Sequence, residues 1–293
     1  MLDGVMLLWF IFTAVSVLFV AVDVWRTPEA NALRWGFIIL TVFAGPLAAF
    51  FYVLGCREPL RGTHAQYVAP TWKQVLGSTM HCASGDGLGI ILGAAVAAIL
   101  TLPTAVDLAL EYALGFGFGW LFFQAFAMRD MAGGSYVKSL KMTFIPEFLS
   151  MNVLMAGMML VSKFWMAEVA GSSHPSHAAF WFIMSMSLVV GFLCAYPMNW
   201  WLVTRHLKHG MMTVQAEEHQ AYAEQSMDAS HHAGQGNMKH EPAQATPTHH
   251  EHAQHHEQTR PAQLAVLTAA AISVVILTVA TTIVLLAAAH PAA

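Results

Sequence analysis

The sequence predicts an all-α fold: a polytopic transmembrane helix bundle of about seven spans, with a disordered histidine-rich loop before the last. Composition is the first reason. Of 293 residues, 57% are hydrophobic and 10% charged, and the mean hydropathy is +0.54. The second is patterning. The apolar residues fall in unbroken runs of about 20, the length that crosses a bilayer as a helix. The third is the placement of histidine. Eleven of sixteen lie between residues 205 and 260, flanked by two such runs.

The net charge of −4 gives no basic footprint for nucleic acid. Cys56, Cys82 and Cys194 are odd in number and scattered, so no disulfide framework is expected. Met1-Leu2-Asp3-Gly4 lacks the positive region of a cleavable signal, and the first apolar run is read as a retained helix.

The predicted spans cover about 4–22, 35–55, 86–103, 107–127, 144–164, 178–203 and 263–288. Residues 1–71 hold two N-terminal helices and a linker, 72–212 a four-helix core, 213–260 the loop and 261–293 the last helix. Gly45-Pro46 predicts a kink in the second span, since proline removes a backbone donor that neighbouring helices must make good. Thr101-Leu102-Pro103-Thr104 predicts a tight turn between the third and fourth.

Ten of the thirteen Lys and Arg residues follow the second, fourth and sixth spans; Arg26, Arg34 and Lys163 fall on the other side. The excess of positive charge marks the cytoplasmic face. This reading sets both termini outside and the histidine-rich loop in the cytoplasm.

From Gln215 to Thr259 the chain is too polar to offset its ordering entropy, and is expected to be disordered. His231-His232, His249-His250, His252 and His255-His256 make it a loose metal-gathering tract or a pH sensor, since neutral imidazole is a common transition-metal ligand and titrates near neutrality. The plainer alternative is a solvated linker.

The third span opens on Met80-His81-Cys82-Ala83-Ser84-Gly85-Asp86-Gly87. Cys82 and Asp86 share a face, and thiolate with imidazole suits Cu(I) or Zn(II). A carboxylate at a membrane boundary is costly unless paired. The alternative is a helix start, with Ser84 as cap and Asp86 favoured by the dipole. Gly85, Gly89 and Gly93 face the fourth span's Gly115 and Gly119 and predict a closely packed hairpin. In the fifth span Glu147, Met151, Met155 and Met158 form one stripe, either soft ligands for Cu(I) or packing. Glu147 follows Pro146, so capping is again the alternative. Gln124 and Asn199 need partners if buried. Arg205, His206, Lys208 and His209 are read as cations ending the sixth span.

His81-Cys82 with its glycine-rich helix, Phe123-Gln124, Glu147-Phe148-Leu149-Ser150 with Gly157-Met158, Tyr196-Pro197-Met198-Asn199-Trp200-Trp201-Leu202 and Lys208-His209-Gly210-Met211 together resemble a bacterial membrane family, domain of unknown function 4396, over about residues 72–212. The Tyr-Pro-x-Asn-Trp-Trp-Leu element is the specific part. Two positions depart from the family pattern. Asp86 stands where a second cysteine is common, and Glu147 where Asp is usual. The first departure weakens a dithiolate site and leaves a harder Cys/His/carboxylate set. The resemblance implies a four-helix core in the inner membrane and no established activity.

The function expected is handling of a transition metal, copper first and zinc or nickel next, by a transporter or a delivery factor. Its site residues are His81, Cys82, Asp86, Glu147, Met151, Met155 and Met158, with the loop histidines gathering the ion. Lipid, the ion and a membrane oxidase or metal chaperone are the expected partners. An accessory subunit of a membrane complex and a thiol enzyme using Cys82 are the alternatives. The enzyme is disfavoured because adjacent His81 and Cys82 point about 100° apart on a helix.

Overall fold

The computed structural model describes residues 2–60, 62–129, 132–208, 210 and 251–290. Among these, seven helices are long and apolar enough to cross a membrane, as predicted. The chain is thus a multi-pass membrane protein.

Helix α1 (Leu2–Asp23) leads through a short 3-10 turn into α2 (Asn31–Gly55). A continuous helix of 25 residues would separate its ends by about 37 Å. Instead the Phe37 and Tyr52 rings lie 5.2 Å apart. Tyr52 Oη donates to Asp23 Oδ2 over 3.1 Å, and Cys56 Sγ stands 3.5 Å from Glu29 Oε1. The helix therefore folds back on itself at Gly45, whose φ of 55° and ψ of −136° break the helical path. Gly45 is required there twice over. Its positive φ suits a residue without Cβ, and an added Cβ would lie 2.5 Å from Thr13 Oγ1. The freed Phe43 carbonyl accepts from Ser185 Oγ, which in turn accepts from Trp9 Nε1. The predicted kink is thus a hairpin turn, with its backbone satisfied by neighbouring helices as expected.

Helix α3 (His64–Val68) precedes α4 (Thr71–Ile99). Helix α4 starts at Thr71 rather than near residue 86, because polar residues hide its first turns from a hydropathy reading. Pro70, not Ser84, holds its N-cap position, and Ser84 Oγ donates to the His81 carbonyl. Asp86 therefore sits in mid-helix, and the helix-start alternative falls. Helix α5 (Thr104–Phe116) follows the tight turn, widens into a π-helical stretch at Gly117–Gln124 and ends in α6 (Ala125–Ala127). The α4–α5 contact is close, as the glycines predicted. A Cβ on Gly93 would meet Glu111 Cα at 2.8 Å, and one on Gly85 would meet Gly119 Cα at 3.0 Å.

Helix α7 (Tyr136–Glu168) is capped by Ser135, whose hydroxyl accepts from the Lys138 amide. Glu147 lies deep inside this helix, so its capping alternative falls too. Helix α8 (Ala178–Thr204) returns. The last helix, α9 (Glu251–Ala289), begins ahead of its apolar span, which covers Gln263–Ala289. His252, His255 and His256 thus stand on its first turns rather than in a disordered loop reaching residue 260. Glu, Ala and Gln in this stretch are good helix formers. His231, His232, His249 and His250 lie outside the described residues.

Helix directions follow from the contacts. Met6 packs with Ala179, Phe182 and Ile183, so α1 runs parallel to α8. Asn152 donates to Ser273, and Thr281 to Met159, so α9 runs parallel to α7. Seven straight crossings would leave the two termini on opposite faces, so the expectation of both outside does not fit seven spans. Because α2 turns back, Leu2 and Ala289 lie at one end of the bundle. The hairpin also moves Arg26 and Arg34 to the same end as Arg57 and Arg205. Among the described residues, every Lys and Arg except Lys163 then belongs, by position in the chain, to that one end. Lys163 remains at the other, paired with Asp107 at 2.5 Å and Glu111 at 2.7 Å.

Candidate functional site

Four elements converge on a buried polar cluster inside the bundle. The spacing of Cys82 and Asp86, one helical turn apart, puts both on the α4 face that meets α7. Glu147 comes from α7 and Gln124 from the π-helical stretch. Lys208 comes from the turn after α8. Asp86, Cys82 and Glu147 are completely buried, and Gln124 and Lys208 nearly so.

Cys82 Sγ is the hub. It donates to Glu147 Oε2 over 3.1 Å. It accepts from Gln124 Nε2 at 2.5 Å and from Lys208 Nζ at 2.6 Å. Lys208 also donates to Asn199 Oδ1 at 2.7 Å, and Asn199 Nδ2 donates to Ser150 Oγ at 3.0 Å. Lys208 Nζ is 4.0 Å from Glu147 Oε2. Burial opposes the Lys208 ammonium, but the Cys82 sulfur and the Glu147 carboxylate outweigh it and raise its pKa above the ordinary lysine value. The expected partners for Gln124 and Asn199 are therefore present.

The carboxyl groups are the unusual part. Asp86 Oδ1 and Glu147 Oε1 both crowd the space beside Gly119. Yet both Asp86 oxygens and Glu147 Oε1 are buried with no donor from any described residue. Gly119 makes room for them, since a Cβ there would collide with Asp86 Oδ1 and Glu147 Oε1. The π-helical stretch carrying Gly119 is itself an uncommon geometry that concentrates at functional sites. Asp86, Glu147 and the Cys82 thiol are three potential anions, faced among the described residues by the cation Lys208. A buried anionic site with so little compensation is stabilised by a bound cation or by protons.

The other expected residues fall elsewhere. His81 turns away from Cys82. Its Nε2 stands 3.4 Å from the Phe123 carbonyl, and an added Cβ on Gly36 would meet its Nδ1 at 3.3 Å. Met151, Met155 and Met158 are buried within the hydrophobic core. Met151 packs its methyl group against Gly115. In the sequence Lys208 reads only as a helix-ending cation. The signal that could have found it was its place in a segment carrying the family resemblance.

Residues 71–208 match the model of the family described as domain of unknown function DUF4396, which bears out the resemblance over spans three to six. The match encloses Cys82, Asp86, Gln124, Glu147, Asn199 and Lys208 and leaves out α1, α2 and α9. No curated protein and no solved structure matches the chain.

Proposed function

We propose that this protein binds a divalent transition metal at Cys82, Asp86 and Glu147 and carries or delivers it within the bacterial inner membrane. One observation carries the reading. Three fully buried carboxylate oxygens, beside a thiol and among membrane-spanning helices, have no donor among the described residues. An intramembrane ionisable cluster is a functional site by default. One sulfur with carboxylate oxygens is a borderline-to-hard donor set. It favours zinc, nickel or iron(II) over Cu(I), which would want more sulfur. Lys208 acts as a tethered counter-cation for the metal-free site and withdraws toward Asn199 when the ion enters. In this reading the end rich in Lys and Arg is cytoplasmic. Both termini are then outside, and the histidine-rich segment delivers ions to the face from which Lys208 enters.

Elemental analysis of tag-free, detergent-purified protein from cells supplied with copper, zinc, iron and nickel tests this. Wild type should hold an ion that Cys82→Ser and Asp86→Asn each lose. Equal metal in all three removes the reading.

A second reading has its own support. Gln124 and Lys208 both donate to Cys82 Sγ while Glu147 accepts its proton, so a thiolate formed by passing that proton to Glu147 would keep two donors. That arrangement suits a thiol nucleophile, with Lys208 in the place first considered for His81. Rapid alkylation of Cys82 by an apolar maleimide, unaffected by metal, would favour thiol chemistry over metal binding.

A further inference from the structure

A second cluster lies outside the matched domain, where the two ends of the α2 hairpin meet. Glu29 belongs to the connection before α2, Cys56 follows its last turn and His64 opens α3. Their ligand atoms all lie within 4.8 Å of one another, and all three residues are buried. Glu29 Oε1 accepts from His64 Nε2 at 2.8 Å and from Cys56 Sγ at 3.5 Å.

We propose that Glu29, Cys56 and His64 form a zinc-type metal site that clamps the open end of the α2 hairpin. The donor set is one sulfur, one imidazole nitrogen and one carboxylate oxygen, the mixture that zinc takes in tetrahedral sites. Ordinary zinc–ligand bond lengths put sulfur and oxygen about 3.6 Å apart, and nitrogen and oxygen about 3.4 Å apart, at the corners of a tetrahedron. The Cys56–Glu29 distance already matches. The His64–Glu29 distance must open by about half an ångström, which a side-chain rotation supplies. The ion replaces the two hydrogens now aimed at Glu29 Oε1. The thiol proton leaves, and the imidazole proton moves to His64 Nδ1, which is buried without a partner.

Access and purpose follow from the surroundings. His64 also lines a cleft of about 750 Å³ bounded by Asp23, Thr27, Arg57 and Glu58. An ion can enter there, and a water can complete the fourth position. Three separate pieces of chain meet at the site, so an ion would tie the α2 hairpin to α3 and hold it in register against α1.

Cobalt(II) titration of the metal-free, full-length protein in detergent is the test, since thiolate–cobalt charge-transfer absorption reports a sulfur ligand directly. The titration is read in the Cys82→Ser background, which lacks the other buried thiol. Cys82→Ser should show the band, and Cys82→Ser/Cys56→Ser should lose it. If that double variant fails to fold, Cys82→Ser/His64→Gln keeps the Cys56 thiol and should weaken cobalt binding, shifting the titration midpoint upward. Zinc should raise the melting temperature of Cys82→Ser but not of Cys82→Ser/His64→Gln. A band that survives in Cys82→Ser/Cys56→Ser, or titrations of Cys82→Ser and Cys82→Ser/His64→Gln that coincide, would overturn the proposal. The Cys82→Ser background keeps this outcome distinct from the fate of the site inside the matched domain.

Discussion

Lys208 Nζ lies 2.6 Å from Cys82 Sγ, although 126 residues separate them. The contact brings the turn after α8 into the interior of the bundle and sets the only described cation of the cluster against three acidic groups. Its removal has a definite expected outcome. Lys208→Met should destabilise the metal-free protein by about 3–5 kcal/mol, the usual effect of leaving a buried charge uncompensated. Added zinc should recover most of that loss, because an ion supplies the missing charge. Thermal unfolding in detergent, with and without zinc, reads both effects. Unfolding temperatures that do not respond to zinc would separate Lys208 from metal binding.

Gly119 provides a sharper structural test, because Gly117 in the same π-helical stretch serves as its control. A Cβ on Gly117 meets nothing within 4 Å, whereas one on Gly119 collides with both carboxyl groups. Gly117→Ala should be neutral or stabilising by up to about 1 kcal/mol, the ordinary gain of alanine over glycine in a helix. Gly119→Ala should displace Asp86 and Glu147 and lose the ion held between them. Equal metal content in the two variants would show that the carboxyl pair is not the binding element.

The helical class and the apolar segments were legible in the sequence because hydropathy and length determine them. The path of α2 was not. An apolar run of about 20 residues satisfies the length rule whether it crosses or turns back, and Gly45-Pro46 signals a break without giving its angle. Asp86 and Glu147 stand out in the sequence as acids at the start of a span. The structure buries both deeper, because Gln74, Ser78 and Thr79 lower the hydropathy of turns that are nonetheless helical. Lys208 was hidden for another reason. It follows Arg205 and His206, so the local pattern reads as a charged helix end. The inward reach comes from a reversal in which His206 takes a φ of 56°, a tertiary event with no periodic signature.

The α2 hairpin makes a topological prediction that a straight span contradicts. Asn31 and Leu60 are both exposed and flank the hairpin, and Leu100 is exposed at the opposite end. Cysteines introduced at positions 31 and 60 should react with an impermeant maleimide from the same membrane face. One at position 100 should react from the other. The cysteines are introduced into Cys194→Ser, which removes the one exposed native thiol and, with Cys56 and Cys82 buried, gives the background. Labelling of positions 31 and 60 from opposite faces would restore seven straight crossings and leave the hairpin untenable.

Deleting residues 215–250 separates the histidine-rich segment from the bundle. The deletion stops short of Glu251, where α9 begins, and leaves the apolar span Gln263–Ala289 whole. Helix α9 is held by contacts that the deletion does not touch, among them the 3.1 Å bond from Asn152 Nδ2 to Ser273 Oγ. The bundle should therefore still fold. If Cys82, Asp86 and Glu147 hold the ion, metal content per chain should persist at saturating supply. It should fall only when the ion is scarce, because a tethered histidine tract raises the local concentration of metal without setting the final affinity. Elemental analysis across a series of zinc concentrations distinguishes the cases. A content that drops to nothing at every concentration would assign the metal to the histidine tract and leave the buried carboxyl pair to protons.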